Sequence, residues 1–220
     1  MKKLVCYSLW GNNPKYTIGA IRNAESIGRI YPGWTARFYC GTSVPQDIIS
    51  ELLKLKAEIK IMNVPGDWSG MFWRFEAIAE PDVEVMLSRD TDSRLSLREA
   101  KAVNQWLSTD KLFHVMRDHP EHNTEILGGM WGARKPILQD MKYLLASYKK
   151  GDFWQVDQNF LREVVWHRVA YTTCTHDPFF AKSPFPTPRN GYEFIGEVYD
   201  EKGNTVPEHT ELLKKALGKK

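Results

Sequence analysis

Asp90 and Asp92 stand one residue apart in Met86-Leu87-Ser88-Arg89-Asp90-Thr91-Asp92-Ser93, directly after the short apolar run Val83–Ser88. Two carboxylates behind a buried strand repel each other and lose solvation unless a cation neutralises them. A hard divalent ion, held by one or two carboxylates together with substrate phosphates, is the natural solution. A solvated turn is the ordinary alternative, because Asp suits turns in its own right. Three other clusters carry residue types with chemical potential. Gly128-Gly129 before Trp131 and Gly132 allows the backbone to come close to a ligand, or makes a tight turn around a buried Trp. Asp118, His119 and His122 are a weaker second metal cluster, with a ligand contact from Asp118 as an alternative. Eight tryptophans are many for this length. Trp10, Trp73, Trp131 and Trp154 adjoin Gly, Asn, Arg or loop residues and read as binding-site walls, with core filling the bland alternative for each.

The elements that must position these groups alternate along the chain. Strand patterns fall at Lys3–Leu9, Thr35–Cys40, Glu58–Val64, Val83–Ser88, Leu112–Met116 and Val169–Cys174. Helix patterns fall at Tyr16–Ile30, Asp47–Lys56, Gly70–Ala79, Leu97–Leu107, Pro136–Tyr148 and Asp157–Trp166. Such alternation predicts an α/β fold, a mostly parallel sheet with helices on both faces. Ligands of such sheets sit beyond the carboxyl ends of the strands. The residues after 177 are rich in proline and read as extended loop, with a hairpin over Glu193–Asp200 turned by Glu201-Lys202-Gly203-Asn204.

Composition narrows the function. The 220 residues are 42% hydrophobic and 26% charged with a net charge of +3, enough chain for one large domain. Scattered lysines and arginines and a weak net charge argue against a nucleic-acid partner. Apolar stretches fall far short of the roughly 20 residues a membrane span needs. Met1–Trp10 carries two lysines and a short apolar run without a small-residue cleavage site, so it reads as a first strand. Cys6, Cys40 and Cys174 show no metal spacing and read as buried thiols of a reducing compartment, which places the chain in the cytoplasm.

Two chemistries use an Asp-x-Asp. In haloacid-dehalogenase-like phosphatases the first Asp is the nucleophile; in sugar transfer from a nucleotide sugar the pair holds a metal on the diphosphate. The phosphatase pair ends the first strand of its domain and is followed by a Gly-Asp pair spaced from another Asp. Here three strand–helix units precede Asp90, and Gly151-Asp152 lacks that context, so sugar transfer fits better. A binding module that has lost catalysis is a third reading, opposed by the intact Asp90-Thr91-Asp92.

The ordered segments Tyr7–Asn13, Gly70–Phe75, Ser88–Ser93, Gly128–Gly132, Val156–Leu161, Thr175–Asp177 and Phe194–Tyr199 extend from the first strand nearly to the C-terminus. Taken together, the chain resembles the metal-dependent DxD glycosyltransferases of GT-A fold. More narrowly, it resembles compact glycosyltransferases of bacteria and large DNA viruses, algal-virus enzymes implicated in capsid glycosylation among them.

That resemblance implies a single GT-A-like domain with a mixed, mostly parallel central sheet. Residues 1–95 would be the nucleotide half, 96–183 the donor-sugar and acceptor half, and 184–220 a proline-rich extension. It implies a UDP-sugar donor, a glycan or glycoprotein acceptor, and Mn²⁺ or Mg²⁺. Ser8, Leu9 and Trp10 would receive the nucleotide, with Arg74 and Arg89 flanking the diphosphate. Asp90 would face the ribose or a metal-bound water, Asp92 would ligate the metal directly, and His176 would complete the metal site. Gly128, Gly129, Trp131 and Asp118 would meet the donor sugar or acceptor. Asp157 takes the place of a general base for the acceptor hydroxyl, with helix capping as its ordinary alternative.

Overall fold

The structure is a computed structural model and describes residues 1–149, 151 and 153–218; the Asp152 of the Gly151-Asp152 pair lies outside them. Seven strands form one sheet in the order β3-β2-β1-β4-β6-β5-β7. They are β1 (Lys2–Leu9), β2 (Thr35–Cys40), β3 (Glu58–Ile61), β4 (Val83–Ser88), β5 (Phe113–Met116), β6 (Trp131–Arg134) and β7 (Thr173–His176). β1 pairs in parallel with β2 and β4, β2 with β3, and β5 with β7; β6 alone runs antiparallel, between β4 and β5. From Leu4 onward β1 is buried on both faces, as an inner strand covered by helices must be. Leu4 and Cys6 pack on one face, against the segment Trp68–Ala79 and helices α4 (Met141–Ser147), α5 (Val156–Phe160) and α6 (Trp166–Val169). Val5, Tyr7 and Leu9 pack on the other, against α1 (Pro14–Ile30), α2 (Gln46–Lys54) and α3 (Leu97–Leu107).

The chain runs outward through β2 and β3, then returns to place β4 on the other flank of β1. That reversal opens a crevice between the carboxyl ends of β1 and β4, the place where open α/β sheets bind ligands. It brings Ser8-Leu9-Trp10 and Arg89–Asp92 together.

Several elements differ from the sequence expectation. Trp68–Ala79 is a 3₁₀ helix, its start capped by the Asp67 carboxylate, which accepts from Ser69 N–H at 2.9 Å. With three residues per turn, positions i and i+3 line up. Phe72 therefore meets Phe75 edge-on at 6.1 Å, and Trp68, Met71 and Arg74 fall in one row along the crevice. The helix expected from Pro136 begins only at Met141, because Leu138 takes a left-handed φ of 56°. Gly128–Gly132, read as a close backbone approach to a ligand with a tight turn as the alternative, leads into strand β6. A Cβ on Gly132 would lie 2.6 Å from Leu87 Cδ2 and 3.1 Å from the Trp106 ring, so only glycine lets this central strand close on β4 and α3. The helical run expected over 157–166 extends through α5 and α6, with a π turn at Leu161–Val165 between them. In the tail the expected hairpin is a single bridge, Tyr199 to Thr205, around the foreseen turn. A helix not foreseen, α7 (Pro207–Ala216), follows it, with Pro207 in its first turn and Leu213 buried.

Candidate active site

The crevice is a cleft of about 630 Å³. Of the residues singled out from sequence, Ser8, Leu9, Trp10, Arg74, Asp90, Asp92, Gly128, Asp157 and Trp154 line it. Asn13 caps α1 through its carboxamide, which accepts from Lys15 N–H at 3.0 Å, and Pro14 occupies the first turn. This cap aims Lys15 across the cleft, where its ammonium meets Asp92 Oδ2 at 2.8 Å. The Asp90–Ser93 loop is fixed from behind by α1. The Asn23 carboxamide donates to Thr91 C=O at 3.3 Å and Ser93 C=O at 2.9 Å, and accepts from Leu95 N–H at 3.3 Å. A Cβ on Gly19 would collide with the Thr91 carbonyl, so glycine is what lets α1 come this close. The tail clamps the same loop, Tyr199 N–H donating to Asp92 C=O at 2.8 Å.

The floor of the cleft is an ionic cluster around Arg74. Its buried guanidinium pairs with Asp90 and, at 3.2 Å, with Asp157, and it donates to Arg89 C=O at 2.8 Å. Arg74 N–H donates to Ser8 Oγ at 3.2 Å, tying the row of the 3₁₀ helix to the end of β1. Burial disfavours the Arg74 charge, but the two carboxylates outweigh it and hold the guanidinium firmly protonated. Burial raises the pKa of Asp157, and Asp90 adds to the rise against the pull of Arg74. Burial also raises Asp92, again with repulsion from Asp90, while Lys15 pulls it back. The paired glycines accommodate these carboxylates: a Cβ on Gly128 would strike the Asp157 carboxylate, and one on Gly129 the Asp90 carboxylate.

Asp157 is not a helix cap. Gln155, at φ 67°, takes that place, and Asp157 Oδ1 accepts from Gln158 N–H at 2.9 Å.

His122 was placed in the wrong group from sequence: it lines the cleft. Its Nδ1 accepts from Asp118 N–H at 3.0 Å, so the ring proton sits on Nε2. Burial, with His119 and His209 nearby, depresses its pKa to about 3. With Nδ1 engaged, it presents a neutral Nε2–H donor. Trp68, Lys15, Asn13 and Gln155 are among the lining residues that sequence reasoning missed; Asn13-Pro14 ahead of a helix was the available signal for Lys15.

Six of the residues singled out from sequence lie elsewhere. Arg89 is a core ion pair: its Nε donates to Glu99 at 2.6 Å and its Nη1 to Trp131 C=O at 3.0 Å, with the Tyr31 hydroxyl on the same Glu99 oxygen at 2.7 Å. Asp118 is fully buried and pins the tail, accepting from Arg189 at 2.6 Å and from Ile195 N–H at 3.0 Å. Trp131 is a core residue stacked on Phe113 at 5.2 Å. His176 sits on the far edge strand, its Nδ1 2.7 Å from His114 Nε2 and its Nε2 2.8 Å from Gln105 Oε1. Gly129 lies behind Asp90 rather than on the cleft surface, and Trp73 is buried against Trp10.

Asp90 and Asp92 suit a divalent cation. Both offer hard oxygen donors, and Asp92 already draws a cation, Lys15, to its half-buried carboxylate. The described lining has three carboxylates against two cations, one negative charge in surplus. A diphosphate would be repelled from it unless it brought a positive ion.

No protein-family model matches the chain, and no curated protein matches it. Solved structures do. A glycosyltransferase involved in glycosylating the major capsid of PBCV-1 superposes over 82% of this chain and 84% of its own, with a TM-score of 0.54 and 17% identity. Glucosyl-3-phosphoglycerate synthase from Mycobacterium tuberculosis, in complex with UDP, superposes over 100% of this chain and 81% of its own, at 0.52 and 13%. The 4-diphosphocytidyl-2C-methyl-D-erythritol synthase from Anaerococcus prevotii superposes over 84% of this chain and 93% of its own, at 0.50 and 12%. What the chain shares with them is the fold, the GT-A, Rossmann-like arrangement expected from its sequence. More than one kind of enzyme uses it.

Proposed function

We propose that this chain is a metal-dependent glycosyltransferase that moves a sugar from a nucleoside diphosphate donor, a UDP-sugar, to a carbohydrate acceptor. The observation that carries the reading is the joint placement of Asp90, Asp92 and Asp157 in one cleft at the carboxyl ends of β1 and β4, with a negative surplus that a diphosphate–metal pair would balance. The solved M. tuberculosis synthase with Mn²⁺ and UDP-glucose, at a TM-score of 0.51, supports it.

In this reading Ser8, Leu9 and Trp10 receive the nucleotide, and Asp90 and Asp92 hold Mn²⁺ or Mg²⁺. The ion supplies Lewis-acid stabilisation of the departing diphosphate. Lys15 and the His122 Nε2–H add donors for phosphate or sugar oxygens. Asp157 takes the proton of the acceptor hydroxyl: burial lifts its basicity, and Arg74 fixes its orientation and keeps it ionised. Residues 1–95 would then serve the nucleotide and 96–183 the sugars, with Gly196 and Val198 of the tail closing the cleft.

A phosphatase using Asp90 as nucleophile is less favourable, because the Asp90 carboxylate is already engaged by a buried guanidinium. Thermal unfolding separates the two. UDP with Mn²⁺ should raise the melting temperature and Asp92→Ala should remove the shift. Stabilisation by fluoroberyllate and not by UDP would favour the phosphatase.

A further inference from the structure

The cations of this cleft are both committed: Lys15 to Asp92 at 2.8 Å, and Arg74 to Asp90 and Asp157. Of the two other titratable side chains in the described lining, His122 is neutral and Tyr16 offers a hydroxyl rather than a basic group. Once an ion takes Asp92, Lys15 turns to the donor diphosphate, so a second anion would find no further cation among the described lining and would face the Asp157 carboxylate.

The rim of the same cleft carries two indoles that the fold leaves in water. Trp68 is 44% exposed at the head of the 3₁₀ row, and Trp154 is 66% exposed just ahead of α5. Burying an indole is strongly favourable, and this fold does bury Trp73, Trp106 and Trp131. Two large apolar faces left exposed at one cleft mark a surface that something else covers.

We propose, building on the sugar-transfer reading, that Trp68 and Trp154 are the acceptor platform and that the acceptor is an uncharged sugar ring rather than a phosphorylated or carboxylated molecule. A pyranose presents an apolar C–H face, which stacks on the electron-rich face of an indole. Its hydroxyls bond to neutral groups, and Gln155 and Gln158, close to Trp154 in sequence, line the cleft, as does Asn12 after β1. The chemistry contrasts with that of the M. tuberculosis synthase, which has been solved with glycerol 3-phosphate.

The test is an array of neutral and acidic oligosaccharides with 3-phosphoglycerate and glycerol 3-phosphate as competitors, read alongside the thermal shift with UDP and Mn²⁺. Neutral glycans should bind. Trp154→Ala should weaken that binding about tenfold and Trp68→Ala about threefold, while Trp154→Phe stays within about threefold of wild type. The UDP–Mn²⁺ shift should persist in all three. Binding confined to acidic glycans or phosphates, no binding to any neutral glycan, or indole variants that bind normally would each overturn the proposal. So would loss of the UDP shift in Trp68→Ala or Trp154→Ala with glycan binding intact, which would give that indole to the nucleotide. Failure of the sugar-transfer reading looks different: the wild type shows no UDP–Mn²⁺ shift, yet neutral glycans still bind through the two tryptophans.

Discussion

At the carboxyl ends of β1 and β4, three carboxylates and two cations share the wall of an open cleft. At the far edge of the same sheet, His114, Cys174 and His176 bring one ligand atom each to within 4.8 Å of one another on β5 and β7. In residue type the second group reads as the better metal site. Its two rings are nevertheless bonded to each other and to Gln105, and His114 Nδ1 alone of their ring nitrogens has no partner among the described residues. The Gln105 carbonyl oxygen takes the His176 Nε2 proton, which leaves Nδ1 to accept from His114 Nε2, and His114 stacks on Trp106 at 5.2 Å. Burial drives His176 down to about 4 and His114 well below its ordinary value, so both rings are neutral. Neutral imidazoles can be folded into a core once each finds a partner. Carboxylates cannot, without counter-ions or solvent. The comparison teaches that a charged cluster which stays open, with its counter-charge incomplete, is the better pointer to a ligand than a cluster of ligating atoms that has closed on itself.

The sharpest way to test that contrast is to remove one group from the cleft. Asp157→Asn should lower the turnover of sugar transfer about 10²- to 10⁴-fold while leaving the UDP–Mn²⁺ thermal shift in place. In the wild type the acid limb of the rate profile should lie above the ordinary carboxylate range, because burial raises the Asp157 pKa. Full activity in Asp157→Asn would remove the base from the mechanism. Next in size is Arg74→Met. It leaves the Asp157 carboxylate buried without its counter-ion and Asp90 unpaired, at a cost of about 3 kcal/mol in urea unfolding. A variant as stable as wild type would show that the floor of the cleft does not depend on this guanidinium.

The edge cluster gives the opposite signature. His176→Gln should cost about 1–2 kcal/mol at neutral pH, from a broken buried hydrogen bond, and leave UDP–Mn²⁺ binding unchanged. In the wild type the unfolded state takes up a proton near the ordinary histidine value of 6.5, whereas native His176 does so only near 4. Stability is therefore lost as pH falls through that window, and the variant should lose part of that slope. A drop in UDP–Mn²⁺ affinity in His176→Gln would break the comparison outright.

Much of this contrast was legible before the fold was known. Asp90 and Asp92 adjoin a strand end, so their location at the sheet's carboxyl edge follows from covalent connectivity once the β/α alternation is read. Asp157 and Gly128 entered through a resemblance of ordered motifs, and the structure places them in the same cleft. His176 could not be located that way. Its distance from Asp92 depends on strand order, and that order depends on β6, hidden in a Gly-Trp-Gly segment that looks like a turn. Arg74 and Arg89 are indistinguishable as residue types and both are buried; only their partners show that Arg89 is spent on Glu99 while Arg74 serves the cleft. Trp68 escaped because a 3.6-residue period was assumed where the backbone winds with three, and only the latter aligns Trp68 with Met71 and Arg74. The tail helix escaped because its prolines were read as breakers, although Pro207 stands at the one helical position that tolerates proline.

The smallest expected effect bears on the least anticipated contact in the cleft. Lys15 and a divalent ion compete for the same Asp92 oxygen, so the ammonium is both a stabiliser of the metal-free loop and an obstacle to the metal. The pair is partly exposed, 31% at Lys15 and 16% at Asp92, so breaking it costs no more than about 1 kcal/mol. In Lys15→Met that competition is gone, and Mn²⁺ alone, measured by titration calorimetry without nucleotide, should bind up to about fivefold tighter. Diphosphate binding should move the other way, since the ammonium displaced by the ion is then missing as a partner for phosphate oxygens. Opposite shifts for ion and nucleotide would identify Lys15 as a counter-ion that changes partners on loading. Equal weakening of both would mean that the lysine only holds the loop in shape, and the cleft would then be more like the closed edge cluster than its open charge suggests.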